Sequence, residues 1–268
     1  VCHHGEGSVN RHRGEKTDGP GVSGSRERLR VDLHAHTHFS EDAVMSPAEL
    51  VALARRRGLD RIAVTDHGTI EGALQARRLA PGRVIVGEEI RCGDWTEVIG
   101  LFLDRPVEPG RSLEATAAAI RSQGGVVYVP HPYAYLTRAD ERVRRCLELA
   151  DCLEVHNSRA FWPAWNRRAD RAARSAGLGR CAGSDAHFPE EVGRASTEVA
   201  PFRTARDFRA RLSTAHPGER VLSSPLQHVR SLAVKAGRRL LDAAPVVESP
   251  APPERSGAGL SSAGSPAR

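Results

Sequence analysis

Short β-branched runs alternate with segments whose apolar residues recur at helical spacing along most of this chain. Read by that pattern, strands are expected over 30–33, 61–65, 83–86, 98–103, 125–129, 152–155 and 179–182, and helices near 47–57, 70–79, 113–123, 139–149, 163–176 and 205–213. The first helix carries its own start and stop signals. Ser46 is placed to cap it, Pro47 suits the first helical position, Glu49 follows three residues after the cap, and Gly58 ends it. Strands alternating with helices indicate β-α units around a parallel sheet, and about seven such units suit a closed α/β barrel better than a small open sheet. No fixed-period repeat accompanies the alternation.

The ends of the chain lack this pattern. Residues 1–28 are rich in Gly, Ser, Arg and His, and residues 243–268 in Pro, Gly and Ser, so both are expected to be disordered tails around a domain over 29–242 that includes a C-terminal helical segment. His3, His4 and His12 then belong to a solvated tail. The 268 residues carry a formal charge of +6, but the arginines are scattered and aromatics make up only 4%, so no basic, aromatic-lined nucleic-acid groove is indicated. Cys2, Cys92, Cys146, Cys152 and Cys181 form no C-x-x-C pair and follow no secretory signal, which predicts reduced thiols in the cytoplasm. No apolar run approaches the ~18–20 residues of a membrane span.

Chemistry concentrates just past the strands. The first runs into Asp32-Leu33-His34-Ala35-His36, where a two-residue period puts the acid and both imidazoles on one side. The second ends in Asp66-His67-Gly68, the third in Glu88-Glu89, the fifth in His131, and the seventh in Asp185-Ala186-His187. In a parallel barrel these carboxyl ends share one face, where active sites of such folds gather. Imidazole nitrogen and carboxylate oxygen without clustered sulfur suit Zn²⁺, Mn²⁺ or Fe²⁺. So many donors exceed the needs of one ion, so two or three divalent metals are expected.

His34-x-His36, Thr65-Asp66-His67-Gly68, Gly87-x-Glu89-Ile90, His131-Pro132 and Gly183-Ser184-Asp185-x-His187, in that order, resemble the polymerase and histidinol phosphatase (PHP) family over residues 30 to 200. The segment from Gly218 to Arg239 is similar to the tail of its stand-alone bacterial phosphoesterases. The resemblance implies a distorted barrel of seven β-α units. It further implies that His34, His36, Glu89 and Asp185 surround one metal, that Glu89 and His131 hold a second, and that Asp42, His67 and His187 hold a third. The chain departs from the family at Glu97, where many members have a histidine. Glu97 either ligates through oxygen or leaves the second position weak.

The resemblance also implies hydrolysis of a phosphate ester: a small phosphomonoester, a nucleoside bisphosphate or an oligonucleotide end. His34, His36, His67, Glu89, Asp185 and His187 would be its catalytic core. Arg159, Arg194 and His156 are the candidates to contact substrate, since arginine's planar fork grips phosphate. His38, His216 and His228 read as loop or structural residues. A metal-dependent amidohydrolase shares the H-x-H motif and the late aspartate, and a non-catalytic metal-binding scaffold would also fit; the His67 motif and the Asp185-x-His187 pair favour the phosphoesterase.

Overall fold

A computed structural model of the chain describes Val1, residues 27–134 and residues 139–242. The two expected tails lie almost wholly outside the described residues. Among the described residues nine strands form one sheet: β1 (Leu29–Asp32), β2 (Arg61–Val64), β3 (Val84–Arg91), β4 (Glu97–Leu101), β5 (Val126–Val129), β6 (Cys152–Asn157), β7 (Gly179–Gly183), β8 (Ala195–Val199) and β9 (His216–Arg220). The helices are α1 (Pro47–Arg56), α2 (Glu71–Leu79), α3 (Leu113–Ser122), α4 (Ala139–Leu149), α5 (Pro163–Ala176), α6 (Ala205–Arg211) and α7 (Leu226–Asp242). The α1 cap forms as expected: Ser46 Oγ accepts from Glu49 N at 3.1 Å, and Gly58 takes φ +68° just beyond the helix.

The strand order is β7-β6-β5-β4-β3-β2-β1-β8-β9. The sheet curls until its two sides meet. Asp185 N donates to His34 O at 2.7 Å and His36 N to Ala186 O at 2.9 Å, while Thr197 Oγ1 bridges Ala182 N and O across β8 and β7. The result is the nearly closed, distorted barrel the sequence led us to expect.

Successive residues on a strand serve opposite layers, as the pleat requires. Ile62, Val64, Val86 and Val127 pack toward α1, α2 and α3 with Leu50 and Ile120. Ala63, Ile85, Val126 and Tyr128 join Val31, Ile99 and Leu101 inside the barrel, where Phe202 and Phe208 pack with them.

Two features differ from the expected repeat of parallel units. β4 runs antiparallel to both β3 and β5, because residues 92–96 are too few for a crossover helix and form a hairpin instead. The reversal has a functional consequence: the first residue of β4, Glu97, lies at the same rim as the last residues of its neighbours. β8 and β9 were not expected. β9 reads His-Pro-Gly-Glu-Arg, and a strand with Pro and Gly at its centre is legible only once it pairs at the sheet edge.

Candidate metal centre

The predicted donors converge at the rim from β1, β2, β3, β5 and β7. Two of them sit on backbone that L-residues rarely adopt: Asp185 has φ +54° and His131 φ +25°. Each is held there by its own amide, Asp185 N donating to His34 O at 2.7 Å and His131 N to Glu154 Oε2 at 2.7 Å. Strained backbone held by its surroundings in this way is a mark of functional positions.

His34 Nε2 and His36 Nε2 approach to 3.1 Å. Glu89 Oε2 lies 3.4 Å from each, and Asp185 Oδ1 lies 3.5 Å from His34 Nε2 and 3.4 Å from His36 Nε2. Ligand atoms roughly 2.0–2.1 Å from one tetrahedral zinc-sized ion stand roughly 3.3 Å apart, and these four donors match that spacing.

The outer nitrogens fix the tautomers. His34 Nδ1 lies 3.2 Å from the Glu154 carboxylate, which accepts, so Nδ1 carries the hydrogen. Ser40 Oγ donates to Asp66 Oδ1 at 2.7 Å and therefore accepts from His36 Nδ1 at 3.1 Å. Both Nε2 atoms are thereby turned toward one point inside the rim. Without a cation, a proton on His34 Nε2 bridges the pair; a cation there would take its place and be coordinated by both rings. Asp66 itself is anchored by Thr37, whose amide and hydroxyl both donate to it at 2.6 Å.

Two further clusters share Glu89. Its Oε1 lies 3.1 Å from His131 Nε2, which is 3.9 Å from Glu97 Oε2. Glu97 divides its oxygens, since Oε1 accepts from Arg91 Nη2 at 2.7 Å. On the other side, Glu89 Oε2 is 3.1 Å from His67 Nδ1. Asp42 Oδ1 lies 3.3 Å from His187 Nε2 and 3.6 Å from His67 Nε2, and no hydrogen bond satisfies this buried oxygen. His187 Nδ1 donates to Asp185 O at 2.8 Å, leaving Nε2 as the free donor atom. The sets His34/His36/Glu89, His34/His131/Asp185, Glu89/Glu97/His131 and His36/His67/His187 are each close enough to hold an ion.

The electrostatics point the same way. Burial drives His36 down to about 3, and the adjacent His187 and His67 add to the effect. Burial also opposes protonation of His34, yet Asp185, Glu89 and Glu154 outweigh it and hold its pKa well above the ordinary imidazole value. His131, likewise buried, is pushed up to about 9 by Glu89 and Glu97. Burial works against the charge of Glu89, and His34 and His67 overcome that to hold it well below the carboxylate range. Buried carboxylates thus recruit protons onto neighbouring imidazoles. A divalent cation would displace those protons and neutralise the same charge, so the residues fit a metal centre.

The centre opens into a cavity of about 500 Å³. Arg159 lines it, only 7% exposed; its Nη2 donates to Ser231 at 3.0 Å and its Nη1 has no hydrogen-bond partner. The other two substrate candidates lie elsewhere. Arg194 turns away after Gly193 to donate to Glu190 O and Leu222 O, and lines a different depression. His156 faces a separate cleft beside α5. Asp32, expected beside the histidines, instead accepts from Ser184 N at 2.9 Å and Gly193 N at 3.2 Å, clamping the Asp185 loop to β1. His38 is exposed, and His228 has a structural role, holding Arg159 O through Nε2 at 2.8 Å, while also lining the metal cavity. Sequence reasoning passed over Glu154, buried at 1% exposure, which accepts from His34, His131 N, Asn157 and Tyr128 OH. Its one signal was an acid set between Leu153 and Val155 in a strand otherwise built for burial.

The cysteines described (Cys92, Cys146, Cys152 and Cys181) are all free and buried. No helix among the described residues is long and apolar enough to cross a membrane.

The chain is similar to known proteins in sequence and in fold. Residues 32–105 match the family model of the PHP domain, and residues 163–215 match that of a PHP-associated region. The uncharacterized protein MJ1587 of Methanocaldococcus jannaschii is 34% identical over 124 residues, which are 41% of this chain and 72% of that protein. A probable phosphatase of Shewanella sediminis is 26% identical over 79% of this chain and 96% of its own length. In fold, the chain is similar to a two-domain protein from Bacteroides vulgatus containing a predicted PHP-like metal-dependent phosphoesterase, with TM-score 0.59, 20% identity, and 84% and 74% of the two chains covered. With the ordered motifs, the rim that gathers them and these matches together, the chain belongs to the PHP family.

Proposed function

We propose that this protein is a metal-dependent phosphoesterase that hydrolyses a small phosphomonoester, a nucleoside bisphosphate or the phosphorylated end of an oligonucleotide. The observation that carries the reading is the pairing, in one cavity, of the donor ring around Glu89 with the unsatisfied Arg159 Nη1. His34, His36, Glu89 and Asp185 would hold one ion, Glu89, His131 and Glu97 a second, and Asp42, His67 and His187 a third, with manganese, zinc or iron suited to the nitrogen and oxygen donors. When bound, such ions supply a nucleophile from water near neutral pH and offset phosphate charge during in-line displacement.

The chain's own residues prepare that chemistry. Glu89 ties the three clusters together through its two oxygens, and Glu154 and Ser40 keep the Nε2 lone pairs of His34 and His36 turned inward. Arg159 offers a buried guanidinium to phosphate oxygens; it is oriented by Ser231 and lies 3.7 Å through Nε from Glu191 Oε1. The test is phosphate release from p-nitrophenyl phosphate and from a nucleoside 3′,5′-bisphosphate with Mn²⁺ added. Turnover that a chelator abolishes supports the reading, and the preferred compound begins to define the substrate. A metal-replete protein inert toward both would move the reading to an amidohydrolase or a binding scaffold.

A further inference from the structure

A second cleft lies on the far side of β6 from the metal cavity, with a volume of about 800 Å³. One wall is a single face of α5, where Arg167, Arg171 and Arg174 recur at helical spacing; Arg180 and Arg220 face them from β7 and β9. The one carboxylate in the lining, Asp170, is committed to two of these, accepting from Arg174 Nε at 2.9 Å and Arg180 Nε at 2.6 Å. The cleft therefore keeps a strong positive excess, with Arg167, Arg171 and Arg220 left to meet a ligand.

At its floor is a hydrogen-bond donor without an acceptor. Asn157 N donates to Asn166 Oδ1 at 3.1 Å, which fixes the orientation of the Asn166 amide. Asn166 Nδ2 then donates to Asn157 O at 3.0 Å and to His156 Nδ1 at 3.2 Å. With Nδ1 accepting, the neutral imidazole carries its hydrogen on Nε2, and that buried atom has no partner. A buried donor left unmade costs free energy that an oxyanion would recover.

We propose that this cleft is a second anion site that binds phosphate groups through His156 Nε2–H and the guanidiniums of Arg167, Arg171 and Arg220, apart from the metal centre. Guanidinium forks around a fixed N–H donor match the tetrahedral array of phosphate oxygens. The volume admits more than one phosphate. The same chemistry is offered by free phosphate and by the backbone of a polynucleotide. The strand between the two cavities links them physically: His156 faces the cleft, while the next residue, Asn157, donates to Asp185 Oδ2 at 3.1 Å in the metal centre.

The experiment follows the His156 imidazole nitrogens by NMR in zinc-loaded protein titrated with inorganic phosphate, then with a short single-stranded oligothymidylate. The expected result is a saturable shift of the Nε2 signal. The double variant Arg171→Glu/Arg220→Glu, altered at exposed positions, should weaken that response by about tenfold or more while p-nitrophenyl phosphate turnover stays unchanged. Saturation by phosphate, with the oligonucleotide no tighter, identifies a small phosphate ligand; much tighter binding of the oligonucleotide identifies a polynucleotide backbone. A His156 signal unmoved by both probes, or a shift equally strong in the double variant, would overturn the proposal.

Discussion

The Nε2 atoms of His34 and His36 face each other at 3.1 Å while their Nδ1 atoms are engaged by Glu154 and Ser40. In the metal-free protein a proton held on His34 by the surrounding carboxylates closes that contact, and a divalent cation would replace it. Metal binding should therefore raise thermal stability, since it acts on the folded state alone. Adding Zn²⁺ or Mn²⁺ to chelator-treated protein is expected to raise Tm by several degrees in a melting scan. In His36→Ala that rise should largely vanish and phosphatase activity with it, while the far-UV circular dichroism stays native. An undiminished metal-induced rise in the variant would remove His36 from the ligand set.

Glu154 supports the centre without belonging to it. Four groups donate to its two oxygens. Glu154→Gln keeps the shape but turns one oxygen into a donor, so His34 or His131 loses its anchor. Metal affinity should fall roughly 10- to 100-fold, the usual effect of losing a partner that orients a ligand. Competition with a chromogenic chelator measures it, and affinity equal to wild type would show that His34 is oriented by other contacts.

Arg159 should act on substrate rather than on metal. Its unpaired Nη1 predicts that Arg159→Met raises KM for p-nitrophenyl phosphate by about tenfold or more, given that a hydrogen bond to a charged group is worth about 1.5–3 kcal/mol. Bound metal per chain should not change. If kinetics are unaltered at full metal content, Arg159 serves only to pack against Ser231 and His228.

How much of this was legible before the fold was known depended on the range over which each residue acts. Local signals carried far: the α1 cap and the strand-end position of His34, His36, His67, Glu89, His131, Asp185 and His187 were all readable from short segments, whereas Asp42 came only from the family resemblance. The antiparallel turn of β4 could be anticipated only by weighing the short 92–96 link against the apolar run that follows. Arg194 was misplaced because nearness in sequence to Asp185 stood in for nearness in space, and Gly193, at φ +74°, turns the chain to the other face. Lys235, His228 and Ser231 reach the cavity on α7, after a long excursion that no local pattern reveals. Glu154 stayed hidden because its partners come from β1, β5 and the His131 turn.

His156 gives the fold a predictable acid sensitivity. Burial lowers its pKa from an ordinary 6.5 to about 4. Between those values the unfolded chain binds a proton that the folded chain does not, so stability falls as pH drops from about 6.5 toward about 4. This single group contributes up to about 3 kcal/mol of that loss. Tm measured from pH 7 to pH 5 should decline less steeply in His156→Gln than in wild type; parallel profiles would show that the imidazole is not what titrates.

The most direct test of the metal-centre account is reconstitution of chelator-treated protein with Mn²⁺ or Zn²⁺, following bound metal per chain and hydrolysis of p-nitrophenyl phosphate together. The account predicts no turnover in the stripped protein and activity that rises with metal to a plateau at two or more ions per chain. Full activity without metal, or saturation of the site with no hydrolysis of any phosphate ester, would contradict it.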